Sequence, residues 1–174
     1  MKKIFTFILL LVLVTGCWNK DTIDEEKLAN YQAHVDSLIK HGDENSFNIP
    51  FDYKVDLAKL KNGTYRYDIT IDNPRVAMYN VEVLALDKKA INQDNEMFPN
   101  AGILDDEAIN MIPNQGDTQK GYHKGILISG ISKTEEFKVN VVVSFKDYAK
   151  LKQFRYYFSI DCKYKEPELE TAGE

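Results

Sequence analysis

The chain has 174 residues and carries 27 acidic against 22 basic side chains, which gives a formal net charge of −5 at pH 7. An acidic chain repels the phosphate backbone, so nucleic acid is not expected as a partner. Two cysteines are too few for a disulfide-stapled secreted scaffold. The length allows one domain with a real core plus a tether.

The chain opens with MKKIFTFILLLVLVTGC, in which positive charge is followed by apolar and then by small residues. The apolar stretch over residues 4–14 reaches only about 16 Å as a helix, whereas a hydrocarbon core is about 30 Å thick. It is therefore too short to span a membrane. The pattern is typical of a secretory signal and predicts cleavage after residues 1–16.

The end of this segment, Val14-Thr15-Gly16-Cys17, resembles the lipobox of bacterial lipoproteins. In that family the cysteine thiol receives a diacylglyceryl group and becomes the new N-terminus. The resemblance implies lipid on Cys17 and attachment to the extracytoplasmic face of a bacterial membrane, with no other cofactor expected. Two acyl chains hold a protein stably, whereas one holds it only marginally. The alternative is an ordinary secretory signal in which Cys17 is incidental.

The lipidated N-terminus and an amphipathic helix are predicted over residues 17–46. Thr22 and Glu25 form a capping-box pattern, and Gly42 follows a basic last turn, so we expect a helix of about nineteen residues. Its apolar stripe consists of Leu28, Tyr31, Val35, Leu38 and Ile39. The stripe leaves three alternatives open: docking on the chain's own domain, docking on a partner, or a loosely ordered stalk.

Two histidines of this helix, His34 and His41, lie about two turns apart, so they cannot bind one metal ion together. We expect both to be solvated or to lie at the helix end.

Beyond Ser46 the apolar period changes from helical to two, which indicates strands with one wet face. The six segments are FDYKVDLA, TYRYDITID, YNVEVLALD, YHKGILISGI, EFKVNVVVSF and FRYYFSIDC. Long strands with no helix between them predict antiparallel sheets packed face to face.

The stretch YRYDITIDNPRVAMYNVEVLALD is similar to the paired strands of small immunoglobulin-like domains of bacterial surface proteins. That resemblance implies a mainly β, Ig-like sandwich over residues 47–165, with a disordered tail over residues 166–174. It implies no catalytic residue, and the Cys-Trp-Cys set of antibody domains is missing.

A long loop over residues 88–121 interrupts the regular strand spacing, and loops of this length are often functional. We expect its apolar residues to fix it to the sandwich and a short helix to form over residues 105–110. Met97 and Phe98 are the first candidates for a binding surface. The acidic residues of the loop, Asp105, Asp106 and Glu107, are weak candidates for calcium ligands, because their spacing does not match an EF-hand loop.

The last strand supplies a second candidate surface and the second cysteine. Arg155 and Tyr157 lie on the face opposite the apolar residues, which predicts that they are exposed and available for binding. Cys162 lies on the apolar face, which predicts a buried, inert thiol.

Motifs for a nucleophile elbow, a zincin, a dithiol centre and a phosphate loop are all missing from the sequence. The sequence therefore predicts a non-catalytic module that binds a protein or envelope partner. Two alternatives stay open: a lipoprotein that binds calcium, a glycan or a small solute, and a hydrolase that uses loop carboxylates.

Overall fold

In the computed structural model, residues 24–90 and 97–166 are described. The signal segment, Cys17 and residues 167–174 of the predicted tail lie outside these ranges. The described chain begins with a helix, α1 (Glu25–His41). The strands that follow are β1 (Asp52–Lys59), β2 (Tyr65–Asp72), β3 (Tyr79–Asp87), β4 (Asn100–Ala101), β5 (Gly125–Ser132), β6 (Glu136–Lys146) and β7 (Gln153–Lys163).

The strands form two sheets, in the orders β1-β2-β5 and β4-β3-β6-β7, and every neighbouring pair is antiparallel. This arrangement confirms the predicted mainly β sandwich after a single helix. In immunoglobulin sandwiches strands A, B and E share one sheet and C, F and G share the other. The same division occurs here: one sheet contains β1, β2 and β5, and the other contains β3, β6 and β7.

The main core lies between the two sheets, where alternate side chains of each strand are buried. On β2 these side chains are Tyr65, Tyr67, Ile69 and Ile71. The ring of Tyr67 passes over β5 at Gly130, where an added Cβ would lie 2.3 Å from the ring. A side chain at this position would therefore have to displace the buried Tyr67 ring of the neighbouring strand.

A second apolar cluster lies on the outer face of β3 and β6, beneath α1. Its buried members are Tyr31, Val35, Leu38, Leu84, Leu86, Ile103 and Val142. Of the three alternatives for the helix, the structure therefore shows docking on the chain's own domain. Burial of apolar surface contributes about 25 cal/mol per Å² and favours this docking.

The helix differs in detail from the prediction. It begins after Asp24, whose side chain accepts a hydrogen bond from the Glu26 N–H at 3.0 Å, so Asp24 provides the N-cap. The predicted cap, Thr22, lies outside the described residues, and the helix has 17 residues. The sequence pattern predicts that Leu28 and Ile39 belong to the buried stripe, but they are 45% and 51% exposed because the sheet contacts a narrower face of the helix.

The edge of β7 is covered by the segment that follows α1. The Ser46 N–H donates to the Tyr157 carbonyl at 2.8 Å, and the Tyr157 N–H donates to Ser46 Oγ at 2.9 Å. Two residues along, the Ser159 N–H donates to Asn45 Oδ1 at 3.0 Å. These bonds occupy backbone groups that an edge strand usually leaves open.

In the described part of the loop over residues 88–121, the helix expected over residues 105–110 does not form. Asp105 instead accepts a hydrogen bond from the Gly102 N–H at 2.7 Å, and Gly102 has a positive φ of 77°. A local side-chain-to-backbone bond of this kind competes with helix formation. The loop is fixed to the sandwich by the fully buried Met111, whose N–H and carbonyl pair with those of Met78.

Candidate functional site

A buried polar network joins α1 to the second sheet and contains His34, which the sequence predicts to be solvated. That prediction is wrong, because His34 is fully buried. Its Nδ1–H donates to the Asn30 carbonyl at 2.9 Å, while Nε2 lies 3.2 Å from Ser144 Oγ and 3.3 Å from Glu82 Oε2. The outer face of β3 and β6 is polar at this point, so the imidazole finds hydrogen-bond partners there.

Glu82 is the charged member of this network. It accepts hydrogen bonds from Asn30 Nδ2 at 2.8 Å and from Ser144 Oγ at 2.9 Å. Burial raises the pKa of Glu82, but hydrogen bonds from His34, Asn30 and Ser144 outweigh it and hold the pKa below its ordinary value. The carboxylate therefore binds the helix to both central strands of the sheet.

Serine, histidine and glutamate are also the residue types of a hydrolytic triad. In such a triad the acid contacts His Nδ1 and the serine is open to substrate. Here Nδ1 of His34 faces a backbone carbonyl, Ser144 donates directly to Glu82, and both His34 and Ser144 are 0% exposed. The geometry therefore fits a structural link between helix and sheet.

The two loop residues predicted to bind have different surroundings. Met97 is 45% exposed, whereas Phe98 packs against the cluster beneath α1. The Phe98 N–H donates to Tyr31 Oη at 2.7 Å. Burial raises the pKa of Tyr31, and the bond from Phe98 only partly offsets this effect. Phe98 thus fixes the loop to the helix, and Met97 is the member of the pair that faces solvent.

On β7 the predicted orientation is right, but the predicted accessibility of Tyr157 is wrong. The face opposite the core is covered by α1, and Tyr157 is half-buried there. Its hydroxyl lies 2.5 Å from Ser37 Oγ, and its ring centroid lies 5.5 Å from that of His41. Arg155 is exposed at the start of the same strand.

The structure does not bring the calcium candidates together as a ligand set. Asp105 is engaged by Gly102, and Asp106 pairs with Lys27 Nζ at 2.5 Å. The hydrogen bond from Lys27 also lowers the pKa of Asp106. Glu107 is exposed. Within residues 24–90 and 97–166, no group of three or more His, Cys, Asp or Glu side chains is placed to hold a metal ion.

Cys162 lies where the strand pattern predicts, on the core face of β7, and it is 2% exposed. Burial, followed by the nearby charges of Asp87 and Asp161, raises the pKa of its thiol to about 11. A thiolate is the reactive form of cysteine, so this site is inert at neutral pH.

On the outer face of the β1-β2-β5 sheet, β1 and β2 present charged side chains such as Lys54, Asp56 and Arg66, whereas the edge strand β5 exposes two aliphatic side chains that the sequence patterns above do not single out. Leu127 is 63% exposed and Ile131 is 50% exposed on β5, and we call these two residues the β5 patch. The signal was present in the segment GILISGIS, which is apolar at both parities of the strand. Strict alternation would have placed polar residues at these outward positions.

The cavities are open clefts. One of about 620 Å³ is lined by Arg75, Lys124 and neutral side chains, and Arg75 is already committed to Asp52 Oδ1 at 2.6 Å. Another, of about 580 Å³, lies beside the start of α1 and includes Asp24, Glu26 and Glu82. Glu82 is hydrogen-bonded within the network described above.

Comparison with known proteins identifies the beginning of the chain. Residues 1–17 match the family model described as the prokaryotic membrane lipoprotein lipid attachment site, and the match ends at Cys17. No curated protein and no solved structure matches the chain significantly. In the ranges that the structure describes, no helix is both long and apolar enough to cross a membrane. The chain is a bacterial lipoprotein, anchored by lipid to the extracytoplasmic face of the membrane.

Proposed function

We propose that this lipoprotein is a non-catalytic adaptor that binds a protein partner at the membrane surface. The observation that carries the proposal is the β5 patch. Its two aliphatic side chains are 63% and 50% exposed on an outer sheet face, whereas the outer face of the other sheet is covered by α1.

The position of the patch on an edge strand suits a protein partner. In the sheet order, β5 has β2 on one side and no strand on the other. Its eight residues include no Lys, Glu or Pro, which are the residues that commonly protect such edges. A partner segment that added as a further strand would gain main-chain hydrogen bonds and cover Leu127 and Ile131.

The lipid anchor would strengthen such an interaction without any new contact. A tethered module meets a membrane-bound partner at a high effective concentration, so a weak interface suffices. The buried state of His34 and Ser144 supports the non-catalytic part of the proposal, since a nucleophile must be open to its substrate.

The test uses photocrosslinking in bacterial membranes, with a photoreactive residue at position 131 of the lipidated chain. A matched control carries the same residue at position 39 of α1, because Ile131 and Ile39 are 50% and 51% exposed. We expect a discrete protein adduct at position 131 that is missing at position 39. The adduct should be lost when Leu127→Glu is added.

Two outcomes would contradict the proposal. The first is an identical set of adducts at positions 131 and 39, which would mean random collision. The second is an adduct at position 131 that persists undiminished with Leu127→Glu. A Cys17→Ser chain, which has no anchor, should give a weaker adduct because its effective concentration is lower.

A further inference from the structure

The turn between β6 and β7 combines exposed apolar side chains with basic ones. Tyr148 is 81% exposed and Leu151 is 87% exposed. The segment from Lys146 to Lys152, which we call the hairpin tip, contains three lysines and one acidic residue, Asp147. It is therefore locally positive in a chain whose net charge is −5.

The hairpin tip is held in shape by Asp147. The Asp147 carboxylate accepts hydrogen bonds from the N–H groups of Leu151 at 3.0 Å and Lys152 at 3.3 Å. The Lys150 N–H donates to the Asp147 carbonyl at 2.9 Å. The carboxylate of the tip is engaged by backbone N–H groups and forms no ion pair with the lysines of the tip. Lys150 Nζ lies 5.2 Å from the centroid of the Tyr79 ring, a cation–π contact that still leaves ammonium protons for an external anion. Tyr148 and Leu151 are presented to solvent by a preorganised turn.

The helix N-terminus lies at the same end of the sandwich as the hairpin tip. The Gly42 carbonyl at the end of α1 accepts from Ser159 Oγ at 3.0 Å, whereas His34 lies beside Ser144, so the helix runs antiparallel to β6. From His34 back to Asp24 is about 15 Å of helix. From Ser144 forward to Tyr148, which is two residues past the end of β6, is at most about 13 Å of extended chain. The start of α1 and the hairpin tip therefore extend a similar distance beyond the buried network.

The lipid anchor keeps this end of the molecule close to the membrane. Seven residue steps separate Asp24 from Cys17, where the lipid-attachment match ends. Such a segment reaches about 25 Å at most when it is fully extended. The hairpin tip is thus confined near the bilayer. It therefore meets lipid at a high effective concentration, so a weak affinity for lipid suffices for binding.

We infer that the hairpin tip binds the surface of the membrane to which the chain is anchored. Tyr148 and Leu151 enter the headgroup region, where an amphipathic ring and an apolar side chain are favoured. The lysines lie against anionic lipid phosphates. The contact fixes the orientation of the sandwich on the bilayer, and it does not depend on whether the β5 patch has a partner.

The test measures membrane depth in the full lipidated chain, reconstituted in vesicles that contain phosphatidylglycerol and phosphatidylcholine. A nitroxide is attached at Leu151→Cys, while Cys162 is 2% exposed and does not compete for the label. The control carries the label at Lys133→Cys, an exposed position in the turn between β5 and β6 at the opposite end. Relaxation by oxygen, which concentrates in lipid, is compared with relaxation by a water-soluble nickel chelate.

We expect the label at position 151 to be relaxed more by oxygen and the label at position 133 more by nickel. Adding Lys150→Glu and Lys152→Glu should shift position 151 towards nickel, as should vesicles of phosphatidylcholine alone. Equal nickel accessibility at positions 151 and 133 in both kinds of vesicle would overturn the inference. Contact at position 151 that is unchanged by the lysine substitutions would overturn the role of the anionic lipid.

Discussion

Leu38 and Ile39 provide a direct test of how α1 is seated on the second sheet. Both belong to the apolar stripe that the sequence predicts, yet Leu38 is fully buried and Ile39 is 51% exposed. Truncating a fully buried leucine to alanine costs about 2–5 kcal/mol. Half burial of an isoleucine is worth about 1 kcal/mol, and alanine regains some helix propensity. We therefore expect Leu38→Ala to destabilise the chain by at least about 2 kcal/mol and Ile39→Ala by about 1 kcal/mol or less.

The measurement is urea unfolding of the chain from residue 17 onwards, carrying Cys17→Ser so that no lipid is attached. A fall in the midpoint with an unchanged slope reports lost stability. For a chain of this size each kcal/mol lowers the melting temperature by about 2–4 °C, so Leu38→Ala should melt about 4–20 °C lower. Hydrogen exchange of the α1 amides then shows whether the helix opens alone or with the sheets.

The two substitutions change neighbouring residues of one helix, so a general loss of helicity would affect them alike. Equal destabilisation by Leu38→Ala and Ile39→Ala would refute the docking geometry. A result in which Ile39→Ala is the more harmful would mean that the helix is rotated by about 100°, with Ile39 against the sheet.

Two further substitutions test the buried network and the core. Because the pKa of Glu82 is held below its ordinary value of 4.5, its stabilising contribution is present above that pH and is lost as the pH falls through the lowered pKa. Glu82→Gln should therefore cost about 1–3 kcal/mol of unfolding free energy at neutral pH. It should also weaken the fall of the unfolding free energy at acidic pH, and an unchanged pH dependence would contradict this account. Gly130→Ala should cost about 1–3 kcal/mol in urea unfolding, because its Cβ would lie 2.3 Å from the Tyr67 ring. Wild-type stability would show that the Tyr67 ring moves aside without cost.

The strands could be predicted because a sheet with one wet face imposes a period of two on the sequence. β2 keeps this alternation in both sequence and burial, whereas β7 keeps it mainly in sequence, since its first three residues are all exposed. Both strands lie where the pattern places them. β6 reads as apolar on both faces through Val141, Val142 and Val143, and all three are buried. A strand that is apolar on both faces must be covered on both, so the docked helix was foreseeable from β6 itself.

The surroundings of His34 and Tyr157 could not be predicted from local spacing. His34 is buried because Glu82 and Ser144 face it across 48 and 110 residues of sequence, and no periodicity within α1 reports such partners. Tyr157 points away from the core as predicted, but its accessibility depends on a helix that docks from the other end of the chain. Side-chain direction is a local property of a strand, whereas exposure depends on tertiary packing.

The loop was the least predictable segment. A short helix is expected over residues 105–110, but the Asp105 carboxylate bonds Gly102 and the Asp106 carboxylate pairs with Lys27 of α1. Both interactions satisfy the acidic groups without any helical turn. Residues 91–96, which belong to this loop, lie outside the described ranges.

Asn45 and Ser46, which cover part of the edge of β7 and which we call the strap, affect how neighbouring chains can associate on the membrane. Lipid-anchored chains diffuse in two dimensions and collide repeatedly, so matching open edges on identical neighbours would invite stacking into fibrils. The strap occupies backbone groups at Tyr157 and Ser159, so the β7 edge of the second sheet is closed to such growth there. With β7 covered on this side, a second chain would have to pair with another edge strand, such as β5 of the other sheet.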